Sequence, residues 1–447
     1  MDNVPTRSTI MDTNSYRGDA PDELPDSDRQ LVNRREQLLG PAYRLFYQKP
    51  VHLVRGEGAY VWDAHGTQYL DVYNNVVSVG HCHPAVAEAV GRQLRVLNTH
   101  TRYLHEGIVD YAQRLLATMP AELDQVMFMC TGSEANDLAV RVAQVATGAR
   151  GVIVTREAYH GTSALTSGLS PALGSGQPLA DFVRLVDAPD TYRGRDGSAF
   201  AADVRAAIDD LVGAGFGFAA LLADSIFSSD GVLPGEQGML REAVDEARRR
   251  GGMFIADEVQ PGFARTGEAF WGFARHGVVP DLVTMGKPMG NGFPVSGMAA
   301  RAEALAPFAT TLPYFNTFGG NPVAMAAGQA VLDVIEQEGL QQHSGEVGAR
   351  LLCALQELGD RHPQVGDVRG AGLFIGFELV RDPSAKTPDK QLALQTVEAL
   401  RERRVLTSVA GPHGNVLKLR PPLAFQERDI DWLVSALDEA LGELAAQ

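Results

Sequence analysis

Four short apolar runs, each followed by a polar or ionisable residue, constrain the fold of this 447-residue chain more than any other feature. They span residues 152–155, 219–224, 253–257 and 282–285. Strands buried on both faces of a parallel sheet have continuous apolar sequences of this length. A helical repeat of Leu240, Ala243, Val244 and Ala247 lies between two of the runs. The pattern predicts an α/β fold with a mostly parallel sheet and functional groups at the carboxyl ends of its strands.

The pattern changes after about residue 325, where longer helical repeats alternate with isolated strands. We expect helices near 323–337, 344–359, 388–402 and 427–445, with strands at 372–379 and 416–420. Together these segments predict a smaller α+β domain, joined by an antiparallel pair at 51–55 and 59–63. The predicted division has four parts: a flexible tail (1–28), the N-terminal part of the small domain (29–75), the large domain (76–325) and the C-terminal small domain (326–447). A leader segment is the alternative for residues 1–28.

Composition excludes several classes of function. A net charge of −16 argues against nucleic-acid binding, which needs a basic surface. Three scattered cysteines predict neither a disulfide framework nor a metal site, and they favour the cytoplasm. Because the sequence has no apolar run of about 18 residues, we expect no membrane association.

Lys287 and Asp257 are the residues with the clearest chemical meaning. Lys287 lies thirty positions after Asp257 (287 − 257 = 30), in a glycine-rich stretch. A lysine amine forms a Schiff base with an aldehyde cofactor, and an acid beside a pyridine nitrogen keeps that nitrogen protonated; both features are typical of pyridoxal phosphate sites. Metal binding or helix capping by Asp257 and phosphate binding by Lys287 are the alternatives. The lysine lacks the P-loop pattern that the phosphate alternative needs.

Other residues that such a site needs are also present. Thr131 and Glu134 have capping-box spacing, so the amides of Gly132 and Ser133 can face a phosphate at a helix N-terminus. Three more side chains have candidate roles: stacking on a cofactor ring for Tyr159, a hydrogen bond to its phenolic oxygen for Gln260, and a hydrogen bond to its phosphate for Thr317. For each of these segments, a structural cap or loop is the alternative.

Taken together, these motifs resemble those of the class III aminotransferases. The resemblance extends over about residues 45–445 and rests on residues 132–136 (GSEAN), 159–161 (YHG), 257–260 (DEVQ), Lys287 and 316–322 (NTFGGNP). It implies the fold type I architecture of pyridoxal-phosphate-dependent transferases, with a large domain and a smaller α+β domain. It also implies a homodimer with shared active sites, in which Thr317 reaches the cofactor phosphate of the neighbouring subunit. Pairing of dimers into tetramers stays open.

Five further segments resemble a subset of that family, the phospho-lyases acting on ethanolamine phosphate and phosphohydroxylysine. They are residues 74–84 (NNVVSVGHCHP), 97–105 (LNTHTRYLH), 190–194 (DTYRG), 284–292 (TMGKPMGNG) and 411–418 (GPHGNVLK). Many class III transaminases hold a substrate carboxylate with an arginine that is paired to a glutamate when idle. Lys418 and Asp224 stand at the matching positions and cannot form the same bidentate pair. The resemblance therefore favours a phosphorylated amine without an α-carboxylate.

The favoured function is elimination of phosphate from O-phosphoethanolamine, with Lys287 as base and Asp257 at the ring nitrogen. The leaving phosphate needs cations. The candidates are Arg102, Arg265, Lys418 and Arg420, with His100 as a further one; structural ion pairs are the alternative for each arginine. An ω-aminotransferase is the alternative enzyme, and a non-catalytic cofactor-binding module is the alternative from another class.

Overall fold

The computed structural model describes residues 12–18 and 24–446. Its largest sheet has seven strands in the order β4-β10-β9-β8-β7-β5-β6. These strands are β4 (Gln125–Met129), β5 (Val152–Thr155), β6 (Val183–Val186), β7 (Ala220–Ala223), β8 (Met253–Asp257), β9 (Leu282–Met285) and β10 (Ser296–Ala300). Strands β5 to β9 pair in parallel, whereas β10 is antiparallel to both of its neighbours. The predicted α/β class with a mostly parallel sheet is confirmed.

Both faces of this sheet are buried, which explains the continuous apolar runs. Along β8, Phe254 and Ala256 belong to one hydrophobic cluster and Ile255 belongs to another. Because successive side chains of a strand point to opposite faces, each face needs its own cover. Helices cover the sheet on both faces. None of the described helices is long and apolar enough to cross a membrane.

Twelve α-helices occur in the described residues. They are α1 (Asp26–Leu39), α2 (Pro84–Leu94), α3 (Glu106–Leu116), α4 (Gly132–Thr147), α5 (Ala164–Ser167), α6 (Gly197–Gly213), α7 (Arg241–Arg249), α8 (Ala302–Thr311), α9 (Pro322–Gln337), α10 (Leu340–Arg361), α11 (Lys390–Glu402) and α12 (Glu427–Ala445). The four helices predicted after residue 323 correspond to α9–α12. Short 3₁₀ turns at Thr191–Arg193 and Lys287–Gly290 lie at the ends of two loops.

Two smaller sheets complete the described fold. One joins β1 (Leu53–Glu57), β2 (Tyr60–Asp63) and β3 (Gln68–Asp71) to β14 (Val405–Leu406). The other has β11 (Val365–Gly370), β12 (Ile375–Asp382), β16 (Val416–Leu419) and β15 (Val409–Ala410), with β13 (Thr387–Pro388) beside β12. Residues near both ends of the chain thus share one sheet. The domain boundaries at residues 75 and 325 stay predictions.

Part of the predicted flexible tail is packed against the rest of the chain. Thr13, Asn14 and Ser15 are buried. The carbonyl of Asn14 accepts a hydrogen bond from the Tyr47 amide at 2.8 Å, and its Oδ1 accepts one from Ser408 Oγ at 2.9 Å. Residues 12–18 of the predicted tail therefore have hydrogen-bond partners at residues 47 and 408, and the flexibility of the tail stays a prediction. Residues 1–11 and 19–23 of that tail lie outside the described residues.

Close packing of α10 gives a test of the fold. A Cβ added to Gly348 would lie 2.3 Å from the backbone of Gly372, whereas one added to Gly442 of α12 meets no atom within 4 Å. We expect Gly348→Ala to destabilise the protein by about 1–3 kcal/mol through overpacking. Gly442→Ala should stabilise it by about 0.5–1 kcal/mol, because alanine restricts the unfolded chain. Thermal unfolding followed by circular dichroism measures both, and a Gly348→Ala variant that melts at or above wild type would contradict this packing.

Candidate active site

A cavity of about 270 Å³ lies at the carboxyl edge of the seven-stranded sheet. Asp257 ends β8, Lys287 follows β9 after one glycine, and Ser133 is in the first turn of α4, which follows β4. Its lining includes six of the seven predicted cofactor-binding residues: Gly132, Ser133, Tyr159, Asp257, Gln260 and Lys287. The sheet edge brings them together because the carboxyl ends of its parallel strands all lie on that side.

The carboxylate of Asp257 is buried and accepts three hydrogen bonds. Its Oδ2 lies 2.7 Å from His160 Nδ1 and 2.9 Å from Asn136 Nδ2, and its Oδ1 accepts from the Val259 amide at 3.1 Å. Burial raises the pKa of this carboxyl, but the hydrogen bonds from His160 and Asn136 outweigh burial and hold the pKa below its ordinary value. Asp257 therefore carries a fixed negative charge inside the protein.

Asn136 is itself held by the sheet. Its Nδ2 also donates to the carbonyl of His160 at 2.9 Å, and its Oδ1 accepts from Thr284 Oγ1 at 2.6 Å. Thr284 lies directly beside Asp257 because β8 and β9 pair in that register. The amide is thus fixed with its NH₂ toward the carboxylate, and the acid cannot turn away from the cavity.

The N-terminus of α4 has the geometry of an anion site. Thr131 and Glu134 form the predicted capping box. Within the described residues, the amides of Gly132 and Ser133 have no hydrogen-bond acceptor. Ser133 Oγ accepts from the Thr162 amide at 3.1 Å, which leaves its O–H free to donate. A Cβ at Gly161 would lie 2.5 Å from that Oγ, so glycine permits this close approach.

Lys287 begins the 3₁₀ turn after β9 and extends into the cavity lining. Burial, and then the positive charge of Arg420, lower the pKa of its amine to about 8, against smaller opposing effects of Asp257 and Asp224. At neutral pH, a lysine with a lowered pKa has a larger unprotonated fraction than a solvated lysine. More of its amine can therefore act as a nucleophile or a base.

A second cavity, also about 270 Å³, adjoins the first and shares Tyr159, Ser229, Gln260 and Lys287 with it. The small sheets supply its other wall. The remaining lining residues are Phe46, Tyr73, Ser408, Val409, Lys418 and Arg420. Two of the four predicted phosphate-binding cations, Lys418 and Arg420, therefore face the same space as Lys287.

Lys418 is buried, yet its Nζ has neither a hydrogen bond nor an ion pair within the described part of the chain. Burial, and then the charge of Arg420, hold its pKa well below the ordinary value. Asp224 does not pair with it: that carboxylate accepts from the amides of Ile226 at 2.9 Å and Ser228 at 3.1 Å. This lysine amine is available to an anionic ligand.

Arg420 is also buried, and it contacts Gln260, which lines both cavities. One terminal nitrogen donates to Gln260 Oε1, and the guanidinium lies 4.4 Å from the centre of the Tyr73 ring. Its Nε has no partner among the described residues. The Gln260 amide in turn donates to Ser228 Oγ at 2.5 Å, so Arg420 and Gln260 form one oriented unit.

Arg265 lies away from both cavities. It is 1% exposed, and its Nη1 donates to the carbonyls of Leu373, at 3.2 Å, and Pro421. These bonds tie its loop to the small sheets. The structure places Arg265 in a structural role, at odds with the expectation that it binds a substrate phosphate.

Arg102, His100 and Thr317 also lie outside the cavities of this chain. The Arg102 guanidinium stacks 4.1 Å above the Phe315 ring, and the His100 ring lies 5.7 Å from it. Thr317 is exposed in the same loop. A site that uses these residues needs them to reach another subunit.

Comparison with known proteins agrees with this geometry. The model of the family "Aminotransferase class-III" matches residues 46–441. The chain belongs to the class III aminotransferase family.

Individual members of that family are similar over most of their length. An ethanolamine-phosphate phospho-lyase homolog of Caenorhabditis elegans is 38% identical over 438 residues, covering 93% of this chain and 94% of the relative. An alanine–glyoxylate aminotransferase 2-like protein of Drosophila melanogaster is 40% identical over 431 residues, covering 93% and 87%. The solved structure of a phospholyase from Arthrobacter, in complex with phosphoethanolamine, superposes with a TM-score of 0.89 at 41% identity, covering 92% of this chain and 99% of that one.

The cofactor of this class III aminotransferase family member is pyridoxal 5′-phosphate, and the residues present fit it. The Lys287 amine can hold the aldehyde, and the Asp257 carboxylate has acceptor capacity left for a protonated ring nitrogen. The free amides at the start of α4, with Ser133 Oγ, suit the phosphate. Tyr159 lines both cavities, where a ring can stack.

Several functional side chains were not predicted from the sequence. Asn136 and His160 belong to motifs that carry the family resemblance, but the sequence suggested no chemical role for either side chain. It suggested none for Thr284. Their part depends on the pairing of β8 with β9, which no local pattern shows. Tyr73 and Ser408 come from the N- and C-terminal parts of the chain and meet only in the folded protein.

The lowered pKa of Lys287 predicts an unusual pH dependence. In the cofactor-free protein its amine should become neutral as the pH rises past about 8, whereas a solvated lysine needs about 10.4. The rate at which an amine-reactive reagent labels Lys287 should therefore rise with that lower midpoint. Arg420→Gln should move the midpoint upward, because it removes a nearby positive charge. Peptide mass spectrometry measures the rate, with Lys287→Met as the blank; an ordinary lysine midpoint would contradict the buried geometry.

Proposed function

We propose that this chain is a pyridoxal-phosphate-dependent phospho-lyase that eliminates phosphate from O-phosphoethanolamine, giving acetaldehyde, ammonia and phosphate. The observation that carries the proposal is the pair of buried basic side chains, Lys418 and Arg420, that line one cavity together with Lys287. The C. elegans and Arthrobacter relatives, whose names include phospho-lyase activity, support it.

The residues divide the reaction between them. When bound, the cofactor stabilises negative charge on the carbon next to the substrate nitrogen. Asp257 supports that role by holding the ring-nitrogen proton, and the Lys287 amine removes the proton from the carbon. The adjacent C–O bond then breaks, and its electron pair leaves with the phosphate. Lys418 and Arg420 stabilise the leaving dianion, and water completes the release of ammonia and acetaldehyde.

The same pocket disfavours an α-carboxylate. Lys418 is a point charge on a flexible stem and does not offer the planar fork that matches a carboxylate. Arg420 does have a fork, but one of its nitrogens is bonded to Gln260. A compact phosphate dianion suits two converging cations better. Phosphohydroxylysine, which carries an α-carboxylate, therefore ranks behind phosphoethanolamine as the substrate.

Aminotransfer is the second candidate, favoured by the name of the Drosophila relative. It uses the same cofactor residues. The two activities differ in their need for a keto acid, since an aminotransferase must regenerate its cofactor with one.

The holoenzyme incubated with O-phosphoethanolamine and no keto acid tests the proposal. Phosphate, ammonia and acetaldehyde should accumulate in equal amounts over many turnovers, as measured by a phosphate assay and an alcohol dehydrogenase assay. Lys418→Gln should lower kcat/KM roughly 10- to 100-fold, the effect of one charge-assisted hydrogen bond. Its affinity for the cofactor should not change.

Arg361→Gln serves as the matched control, because it removes an exposed cation of the small-domain part of the chain that forms a salt bridge with Asp438. It should leave kcat/KM at the wild-type value. Wild-type protein that stops after one turnover per site and resumes with a keto acid would establish aminotransfer instead.

We propose further that the protein is a homodimer with shared active sites. Large apolar side chains are exposed on α2, on the segment after it and on the loop that carries Thr317: Leu94, Val96, Leu97, Tyr103, Leu104, Phe315 and Phe318. Several exposed large apolar side chains in neighbouring segments are consistent with a protein–protein interface. A second copy seated there would bring Thr317 and Arg102 toward the neighbouring cavity.

Hybrid dimers test the sharing of sites. Lys287→Ala removes the amine, and Thr317→Glu places a negative charge where the cofactor phosphate of the partner would bind, so each variant alone should be inactive. Co-refolding them in equal amounts should restore about a quarter of wild-type activity, because half of the dimers are hybrids with one intact site. If Thr317 serves its own chain, no hybrid site is intact and activity stays absent; a fully active Thr317→Glu variant would also contradict the proposal.

We also propose a cytoplasmic location. All three cysteines, Cys82, Cys130 and Cys353, are unpaired. Unpaired thiols are typical of proteins kept in a reducing compartment. Fluorescence microscopy of a tagged full-length protein tests the location.

A further inference from the structure

Two of the motif segments, residues 190–194 and 411–418, meet around one buried carboxylate outside the cavities. Glu378 of β12 is 1% exposed. Its Oε1 accepts from the Arg193 guanidinium and from Asn415 Nδ2, the latter at 3.2 Å, and its Oε2 accepts from Arg369 Nη1 at 2.7 Å. Burial raises the pKa of Glu378, but Arg193 and Arg369 outweigh burial and hold the pKa below its ordinary value. The carboxylate is therefore charged and links three segments.

Arg193 connects this carboxylate to the part of the chain that forms the seven-stranded sheet. It ends the 3₁₀ turn after β6, and its Nη1 donates to Asp190 Oδ2 at 2.9 Å. Its other terminal nitrogen also donates to the carbonyl of Lys386, at 3.3 Å. The same guanidinium thus bonds to groups on both sides of the boundary between the sheets.

Arg369 connects the carboxylate to the loop of residues 226–232. Its Nε donates to the carbonyl of Val232 at 2.9 Å, and its Nη2 donates to that of Gly231 at 2.8 Å. A third hydrogen bond runs from the Gly411 amide to the carbonyl of Ser229 at 3.0 Å. With three donors aimed at its carbonyls, this loop is fixed from the small-sheet side.

The loop needs such support because its backbone is strained. Phe227 and Val232 have φ angles of 50° and 57°, a region that side-chain-bearing residues rarely adopt. Conformations of this kind persist when the surroundings determine them. The loop also carries Ser229, which lines both cavities, and Ser228, the partner of Gln260.

Glu378 is also close in the sheet to the substrate cations. Strand β12 pairs with β16, and the register places Glu378 opposite Val416 and Gly376 opposite Lys418. The carboxylate that orients Arg369 is therefore built into the strand next to the one that carries Lys418. A shift of β12 relative to the loop would shift Lys418 relative to Lys287.

We propose that Glu378 is a positioning residue for the reaction. Through Arg193 and Arg369 it fixes the 226–232 loop against β12 and β16, and so sets the distance between Lys418 and Arg420 on one wall and Lys287 on the other. Its effect on substrate kinetics rests on the proposed phospho-lyase function. Its effect on the loop does not depend on that function.

Hydrogen–deuterium exchange of the holoenzyme tests the effect on the loop. Glu378→Gln keeps the shape of the side chain but replaces one carboxylate oxygen by an NH₂ donor, so that one of the two arginines loses its acceptor and both lose the negative charge. It should raise the exchange rate of peptides covering 226–233 at least tenfold and leave those covering 282–286 unchanged. Asp438→Asn removes an exposed carboxylate of α12 and should change neither. Unchanged exchange at 226–233 in Glu378→Gln would overturn the proposal.

Kinetics test the effect on substrate binding. Glu378→Gln should raise the KM for O-phosphoethanolamine about tenfold or more, with little change in kcat and none in the cofactor dissociation constant. Arg369→Lys keeps the charge but cannot reach the carboxylate and both carbonyls. It should likewise raise KM with little change in kcat. The KM of the double variant should be no higher than that of either single variant. Additive effects would contradict action through Arg369. If Glu378→Gln does not fold, Arg369→Lys tests the proposal in its place. Its peptides covering 226–233 must show the same increase in hydrogen–deuterium exchange.

If the wild-type protein releases no phosphate from O-phosphoethanolamine, the proposed function is rejected. The exchange result still decides whether Glu378 holds the loop. Faster exchange at 226–233 together with an unchanged KM would show that the loop is held by Glu378 without consequence for the substrate. That outcome would overturn the positioning role.

Discussion

The buried negative charge on Asp257 is the constraint on which the active site depends. An ionised carboxylate inside a protein loses several kcal/mol of hydration unless hydrogen bonds replace it. Here the His160 ring, the Asn136 amide and the Val259 backbone amide replace it. Because these donors come from a loop, a helix and the strand end itself, the charge forms only when the large sheet and α4 are assembled.

The sheet edge accounts for much of what could be predicted from the sequence. Asp257 ends one of the predicted apolar runs and Lys287 follows another, and the carboxyl ends of parallel strands converge. Sequence alone was therefore sufficient to predict the α/β class, and six of the seven residues that it suggested for the cofactor line the first cavity. It was insufficient for Asn136 and Thr284, whose roles depend on the register between β8 and β9.

The wall of the second cavity that contains Lys418 and Arg420 was harder to predict, because its residues come from distant segments of the chain. Arg265 and Arg102 lie in loops next to prominent motifs, and proximity in sequence made them candidates. In the fold, backbone carbonyls of residues more than a hundred positions away hold Arg265. Lys418 and Arg420, on the strand and its end, face the cavity because β16 pairs with β12 in one register. Side chains that act across a domain boundary thus depend on packing that local sequence does not encode.

In the proposed function, different sheets carry the cofactor chemistry and the choice of substrate. The large sheet supplies the groups for the cofactor, whereas the small sheets supply Lys418 and Arg420. Changes on β16 or in the residues that hold it can then alter which substrate reacts without disturbing Asp257. This separation is consistent with one family containing relatives named as aminotransferases and as phospho-lyases.

The ¹⁵N chemical shift of ring-labelled pyridoxal phosphate bound to the protein tests the central claim most directly. If the Asp257 carboxylate is ionised and faces the ring nitrogen, the shift should be that of a protonated pyridine wherever the protein is folded, and Asp257→Asn should convert it to that of a neutral one. A neutral pyridine shift in the wild-type protein would contradict the account.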